Sequence, residues 1–139
     1  MIPAFMSILF LQSSLDKILD YKGNLAYFTA HFKNSPLAKA VGLMTPILTI
    51  LELGAGVLCA IGVVALYSGN KFWAFSGLLV AGIAFLSLFF GQRVAKDYAG
   101  ALSIATYFGI NVLGLLILMW KLKYPLSIFA FFEWKTYNL

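Results

Sequence analysis

Apolar residues occur in four long stretches that short polar segments separate, at 2–19, 43–66, 72–90 and 101–120. A helix needs about 20 consecutive apolar residues to cross the roughly 30 Å of hydrocarbon in a bilayer. The last two stretches contain no charged residue, the second contains only Glu52, and the first includes Asp16 and Lys17 near its end. The pattern predicts an all-α integral membrane protein, a four-helix bundle that forms one domain over residues 1–139.

Two segments outside the spans carry aromatic residues in a pattern typical of the membrane–water interface. Between the first two spans, Tyr21, Leu25, Phe28 and Phe32 recur at helical spacing. This spacing predicts a short amphipathic helix at about 25–33 that lies in the interface rather than crossing the membrane. The C-terminal tail at 121–139 combines lysines with an aromatic run and is predicted to be interfacial as well. A docking surface for a partner is the alternative for this tail.

Composition supports the membrane assignment and indicates which class of partner the chain contacts. Hydrophobic residues make up 62% of the chain and charged residues only 11%. The net charge is +5, but the basic residues sit at span ends, which favours contact with membrane lipid over binding to nucleic acid. Cys59 is the only cysteine and His31 the only histidine, so we expect no internal disulfide, no metal site and no intrinsic cofactor.

Most ionisable residues near the spans fall at one membrane face. Consecutive spans alternate in direction, so the end of the first and third spans meets the start of the second and fourth. Charge in hydrocarbon is unfavourable, so such residues tend to face the bundle interior and to pair. The sequence therefore predicts a one-sided polar pocket, and the residues near it are Asp16, Lys17, Glu52, Gln92, Arg93, Lys96 and Asp97.

Glu52 is the candidate catalytic residue. At 1.5 Å per residue it lies roughly 13 Å along the second span from Leu43, well below the headgroups. Burial disfavours the charged form of a carboxylate, so an unpaired Glu52 is expected to handle a proton or to anchor a bound molecule. The alternative is a structural ion pair with Lys17 or Arg93 that holds two helices together.

Two pairs of polar residues are spaced by one helical turn. Arg93 and Asp97 can form a salt bridge if the third helix continues that far, or Arg93 can clamp an anionic ligand. Tyr107 and Asn111 in the fourth span are expected to form hydrogen bonds between helices, with ligand contact as the alternative. The sequence contains no nucleophile elbow, phosphate loop, metal-binding cluster or redox dithiol. Any electron donor would therefore belong to a partner.

Three segments carry a resemblance to a known family. They are FLQSSLDK at 10–17, LELGAG at 51–56 and GQRVAKDYAGA at 91–101. In these segments the chain resembles the DoxX-like family of small bacterial and archaeal membrane proteins with four helices. The family's lysine near the end of helix one corresponds to Lys17, and its glutamate in helix two corresponds to Glu52. An arginine that the family often has early in helix one has no counterpart here, where Pro3 and Ala4 stand.

The resemblance covers about residues 10–118 and implies a location in the bacterial cytoplasmic (inner) membrane. The family name implies a link to thiosulfate:quinone oxidoreductase, and other relatives look like partners in thiol-redox complexes. The leading hypothesis is therefore a subunit or accessory of a larger membrane complex, with a bound quinone at the polar pocket. The alternatives are a structural or assembly protein without a ligand, and a small lipid- or solute-binding bundle of the transporter type.

Overall fold

The computed structural model describes residues 1–123, in which every regular element is a helix and no strand occurs. The helices are α1 (Ile2–Leu19), α2 (Tyr21–Phe32), α3 (Val41–Tyr67), α4 (Phe72–Val94) and α5 (Tyr98–Lys123), with a 3-10 turn at Ala38–Ala40 before α3. Four of them, all but α2, are long and apolar enough to cross a membrane. The prediction of an all-α fold with four helices of sufficient length and hydrophobicity to cross a membrane is confirmed. The aromatic run of the predicted tail lies outside the described residues.

Two aspartates move helix boundaries away from the predicted positions. Asp20 Oδ1 accepts a hydrogen bond from the Gly23 amide at 3.0 Å, so α2 begins four residues before the predicted start at 25. Asp97 Oδ1 accepts one from the Gly100 amide at 2.8 Å, and α5 begins at Tyr98 instead of 101. In both cases a side-chain oxygen satisfies an amide that the first helical turn leaves free. The interfacial position of α2 stays a prediction.

The four long helices pack in the order α1, α3, α4, α5. α3 lies between α1 and α4, and α5 packs mainly against α4. The centre of the bundle includes Phe10 of α1 against Phe85 of α4, with ring centroids 4.7 Å apart. The outer face of α3 is apolar and exposed, at Leu43, Ile47, Ile50, Val57, Ile61 and Val64. Lipid is a suitable solvent for such a face, because the backbone groups are satisfied within the helix.

Helices α3 and α4 are both followed by a residue with positive φ, but the residue type differs. Each helix is followed by one residue in the left-handed conformation, Gly69 with φ of 76° after α3 and Lys96 with φ of 63° after α4. The Asp97 amide donates to the Gln92 carbonyl at 2.9 Å, and the Lys96 amide donates to Arg93 at 3.2 Å. Glycine is the usual residue at this position, because a Cβ is strained there.

Replacing Lys96 by glycine should therefore stabilise the protein by about 1 kcal/mol. The measurement is reversible unfolding in mixed detergent micelles, with Lys96→Ala as the control, because alanine removes the charge but keeps the strained Cβ. Equal stability of the glycine and alanine variants would contradict this explanation.

Candidate functional site

The candidate site is built around an ion pair between α1 and α3. Lys17 Nζ lies 2.7 Å from Glu52 Oε2. Both residues are buried, with 7% of Lys17 and 1% of Glu52 exposed. Of the two partners that the sequence left open for Glu52, the structure shows Lys17. The pair links the last turn of α1 to the middle of α3.

Ser13, one helical turn before Lys17, forms hydrogen bonds with both members of the pair. Its hydroxyl donates to Glu52 Oε2 at 3.0 Å and accepts from Lys17 Nζ at 2.7 Å. Lys17 Nζ also donates to the Ser13 carbonyl at 3.2 Å. The sequence analysis missed Ser13 as a site residue, although its position four residues before Lys17 could have revealed it.

Close packing of α1 on α3 brings these groups together. A Cβ on Gly56, one turn beyond Glu52, would stand 3.0 Å from the Leu11 backbone nitrogen. Within the described part of the chain, one carboxylate oxygen, Glu52 Oε1, is buried without a hydrogen-bond partner. An unsatisfied buried carboxylate oxygen is unfavourable and is therefore a position where a proton, a water molecule or a ligand donor would be stabilised.

Lys17 lines a narrow internal cavity of about 40 Å³ between α1, α2, α3 and α4. Its walls are Lys17, Phe28, Phe32, Val41, Met44, Thr45, Leu48, Ser87, Leu88, Gly91 and Gln92. A water molecule needs about 10–15 Å³ by this measure, so the cavity has room for two or three waters and not for an aromatic ring. Lys17 is the member of the ion pair that reaches it.

Two wider openings lie on either side of the pair. A groove of about 450 Å³ between α3 and α4 shares Met44, Leu48 and Ser87 with the internal cavity. A cleft of about 440 Å³ between α1 and α5 is lined by Phe5, Ile8, Leu9, Gln12, Ser13, Asp16 and Tyr107. Lys17 and Ser13 therefore connect a cavity on one side of the bundle to a cleft on another.

Gln92 lines the cavity, and its side-chain partner is His31. His31 Nε2 lies 3.0 Å from Gln92 Oε1 and 3.8 Å from Asp97 Oδ2. The sequence analysis did not place His31 at the site. Since His31 and Gln92 are 61 positions apart, no local pattern could have revealed this contact.

Arg93 and Asp97 do not form the predicted salt bridge within the described residues. The left-handed residue Lys96 follows the end of α4 at Val94, so Arg93 and Asp97 no longer share a helical face. Arg93 is exposed and its guanidinium lies 4.8 Å from the centre of the Tyr98 ring. Arg93 therefore lies outside the cavity, and Asp97 caps α5.

The remaining predicted residues lie away from the cavity. Asp16 is exposed and lines the cleft between α1 and α5, together with Tyr107. Asn111 is fully buried and donates to the Leu78 carbonyl of α4 at 3.0 Å. Its predicted bond between helices is thus confirmed, whereas the predicted single pocket is divided between two openings.

Residues 1–123 contain no group of three or more metal-ligating side chains. No family model, no curated protein and no solved structure matches this chain.

Proposed function

We propose that this chain is a DoxX-like subunit or accessory protein of a larger complex in the bacterial cytoplasmic membrane, and that it binds a quinone at Lys17. The observation that carries the proposal is the buried pair of Lys17 and Glu52, with one carboxylate oxygen unpartnered, beside a cavity that adjoins a wider apolar groove. An ionisable group inside a membrane bundle is by default a candidate for function.

The donors around the cavity suit the oxygen of a quinone, whose carbonyls accept hydrogen bonds and take up protons on reduction. Lys17 directs its three N–H donors at Glu52 Oε2 and at the hydroxyl and carbonyl of Ser13, so a quinone oxygen would replace the longest of these bonds, the 3.2 Å contact with the Ser13 carbonyl. Gln92 contacts His31 through its oxygen, and its amide nitrogen, beside Gly100, donates to no acceptor within residues 1–123. Glu52 holds or releases the proton that the site exchanges.

At about 40 Å³, the cavity is smaller than a quinone ring. An aromatic ring fits only if side chains between the cavity and the α3–α4 groove move. Met44 and Leu48 line both spaces, and methionine adapts its shape at low energetic cost. The groove is apolar along Ile47, Leu51 and Phe90, which suits the isoprenoid tail of a membrane quinone.

A second candidate function rests on the completeness of the ion pair itself. With a 2.7 Å contact and Ser13 bonded to both partners, the Lys17–Glu52 pair is suited to a purely structural role, which is to fix α1 against α3. The chain would then be an assembly protein without a ligand. The two functions differ in whether the cavity residues that lie outside the ion pair matter for binding.

Quinone binding by the purified protein tests the first function. The protein is extracted gently from its membranes, co-purified quinone is quantified by native mass spectrometry, and a quinone with an isoprenoid tail is titrated. Gln92→Leu should weaken binding about tenfold, since it removes one hydrogen-bond donor worth about 1.4 kcal/mol.

The matched control is Gln12→Leu, which makes the same change in the α1–α5 cleft. It should leave quinone binding unchanged. Equal affinities of the wild type and Gln92→Leu, or a protein that carries no quinone and binds none, would favour the assembly function.

A further inference from the structure

The cleft between α1 and α5 brings polar side chains to the back of the ion pair. Gln12 and Asp16 of α1 are exposed in it, and Tyr107 lines it from α5. Ser13 belongs both to the lining of this cleft and to the hydrogen-bonded group of Lys17 and Glu52. It is therefore a residue through which cleft water can communicate with the buried carboxylate.

Ser13 has the chemistry that such communication requires. Its hydroxyl uses its proton to donate to Glu52 and one lone pair to accept from Lys17, and a hydroxyl oxygen has a second lone pair. Water in the cleft can donate to that second lone pair. Lys17 cannot replace Ser13 as a relay, because an ammonium group donates hydrogen bonds and accepts none.

We infer that the α1–α5 cleft is the path by which protons reach Glu52, with the Ser13 hydroxyl as the relay. A hydronium ion in the cleft transfers a proton to Ser13 Oγ while the original hydroxyl proton moves to Glu52 Oε2. Ser13 is regenerated, the hydronium becomes water, and Glu52 becomes neutral while Lys17 keeps its charge. The inference rests on the proposed proton role of Glu52. In this arrangement protons arrive from the α1–α5 cleft, and the ligand arrives from the cavity and the α3–α4 groove.

Cysteine labelling tests whether water reaches Ser13. In a Cys59→Ala background, which removes the only natural cysteine, Ser13→Cys should react with a membrane-impermeant cationic thiol reagent. Ser14→Cys is the matched control, because Ser14 is fully buried and bonds to the Leu11 carbonyl of its own helix. It should stay unlabelled under the same conditions. Protection of Ser13→Cys would overturn the inference.

Time-resolved infrared spectroscopy after an acid pH jump tests the relay. The carbonyl stretch that Glu52→Gln removes reports the protonated form of Glu52. Ser13→Ala should slow the rise of this band at least about tenfold, in line with the effect of positioned proton-transfer groups. Ser13→Thr should restore the rate because it keeps the hydroxyl, and Ser14→Ala should leave it unchanged.

An unchanged rate in Ser13→Ala, or a wild type in which the Glu52 band never appears, would overturn the relay. These measurements need no quinone, so they are independent of the ligand. Labelling and slowed protonation together with failed quinone binding would retain the path and reject the ligand. Quinone binding together with an unlabelled Ser13→Cys and an unchanged protonation rate in Ser13→Ala would retain the ligand and reject the path.

Discussion

Replacing Lys17 by methionine should lower the free energy of unfolding by about 3–5 kcal/mol, the range found when one partner of a buried ion pair is removed. The reason is that Glu52, 1% exposed, keeps only the hydrogen bond from Ser13 and loses its charge partner. Methionine fills a similar volume, so the loss reports the charge rather than a cavity. The measurement is equilibrium unfolding in mixed micelles, followed by circular dichroism.

The control for this substitution is Lys22→Met, which makes the same change at an exposed position of α2. It should leave stability unchanged, since an exposed lysine contributes little. A stability loss of the same size in Lys22→Met would mean that net charge, and not the ion pair, stabilises the protein.

The double variant Lys17→Met/Glu52→Gln separates the two candidate functions. A buried ion pair replaced on both sides by neutral groups often leaves a protein equally stable or more stable. Recovery to wild-type stability would show that the fold does not need the pair, which favours a role in binding or proton transfer. A double variant as unstable as Lys17→Met would show that the pair fixes α1 on α3, as the assembly function requires.

Much of the fold could be predicted from the sequence, because helices in a membrane follow directly from the length of apolar stretches. The first predicted span, 2–19, has the bounds of α1, and the start of the third coincides with the start of α4. The errors lie at ends where one side chain decides the outcome. Asp97, for example, caps α5 and so begins that helix three residues early.

The candidate site could be predicted only in part. The alternating direction of the spans was enough to bring Lys17, Glu52 and Gln92 to one region of the bundle. Lys17 contacts Glu52, and Lys17 and Gln92 line the same cavity. The same argument could not tell which side chains face inward. Arg93 follows Gln92 directly but lies on an exposed part of α4, because adjacent residues on a helix point in different directions.

The second large effect is expected where α3 and α4 pack most closely. A Cβ on Gly62 would stand 2.5 Å from Ala74 Cα, and one on Gly77 would stand 2.7 Å from the Cys59 backbone nitrogen. Both contacts are with backbone, which cannot rotate away. Gly62→Ala and Gly77→Ala should each lower the free energy of unfolding by about 1–3 kcal/mol, the usual effect of overpacking.

Gly54→Ala is the control for these two substitutions. Gly54 lies on α3 between the ion pair and Gly62, and a Cβ there meets no atom within 4 Å. Alanine is a better helix former than glycine by about 1 kcal/mol, so Gly54→Ala should be neutral or stabilising. If Gly62→Ala and Gly77→Ala behave like Gly54→Ala, the helices are not in close contact at this end. If they destabilise the protein while Gly54→Ala does not, close contact between α3 and α4 holds the hairpin that carries Glu52 and Gln92 on its two arms.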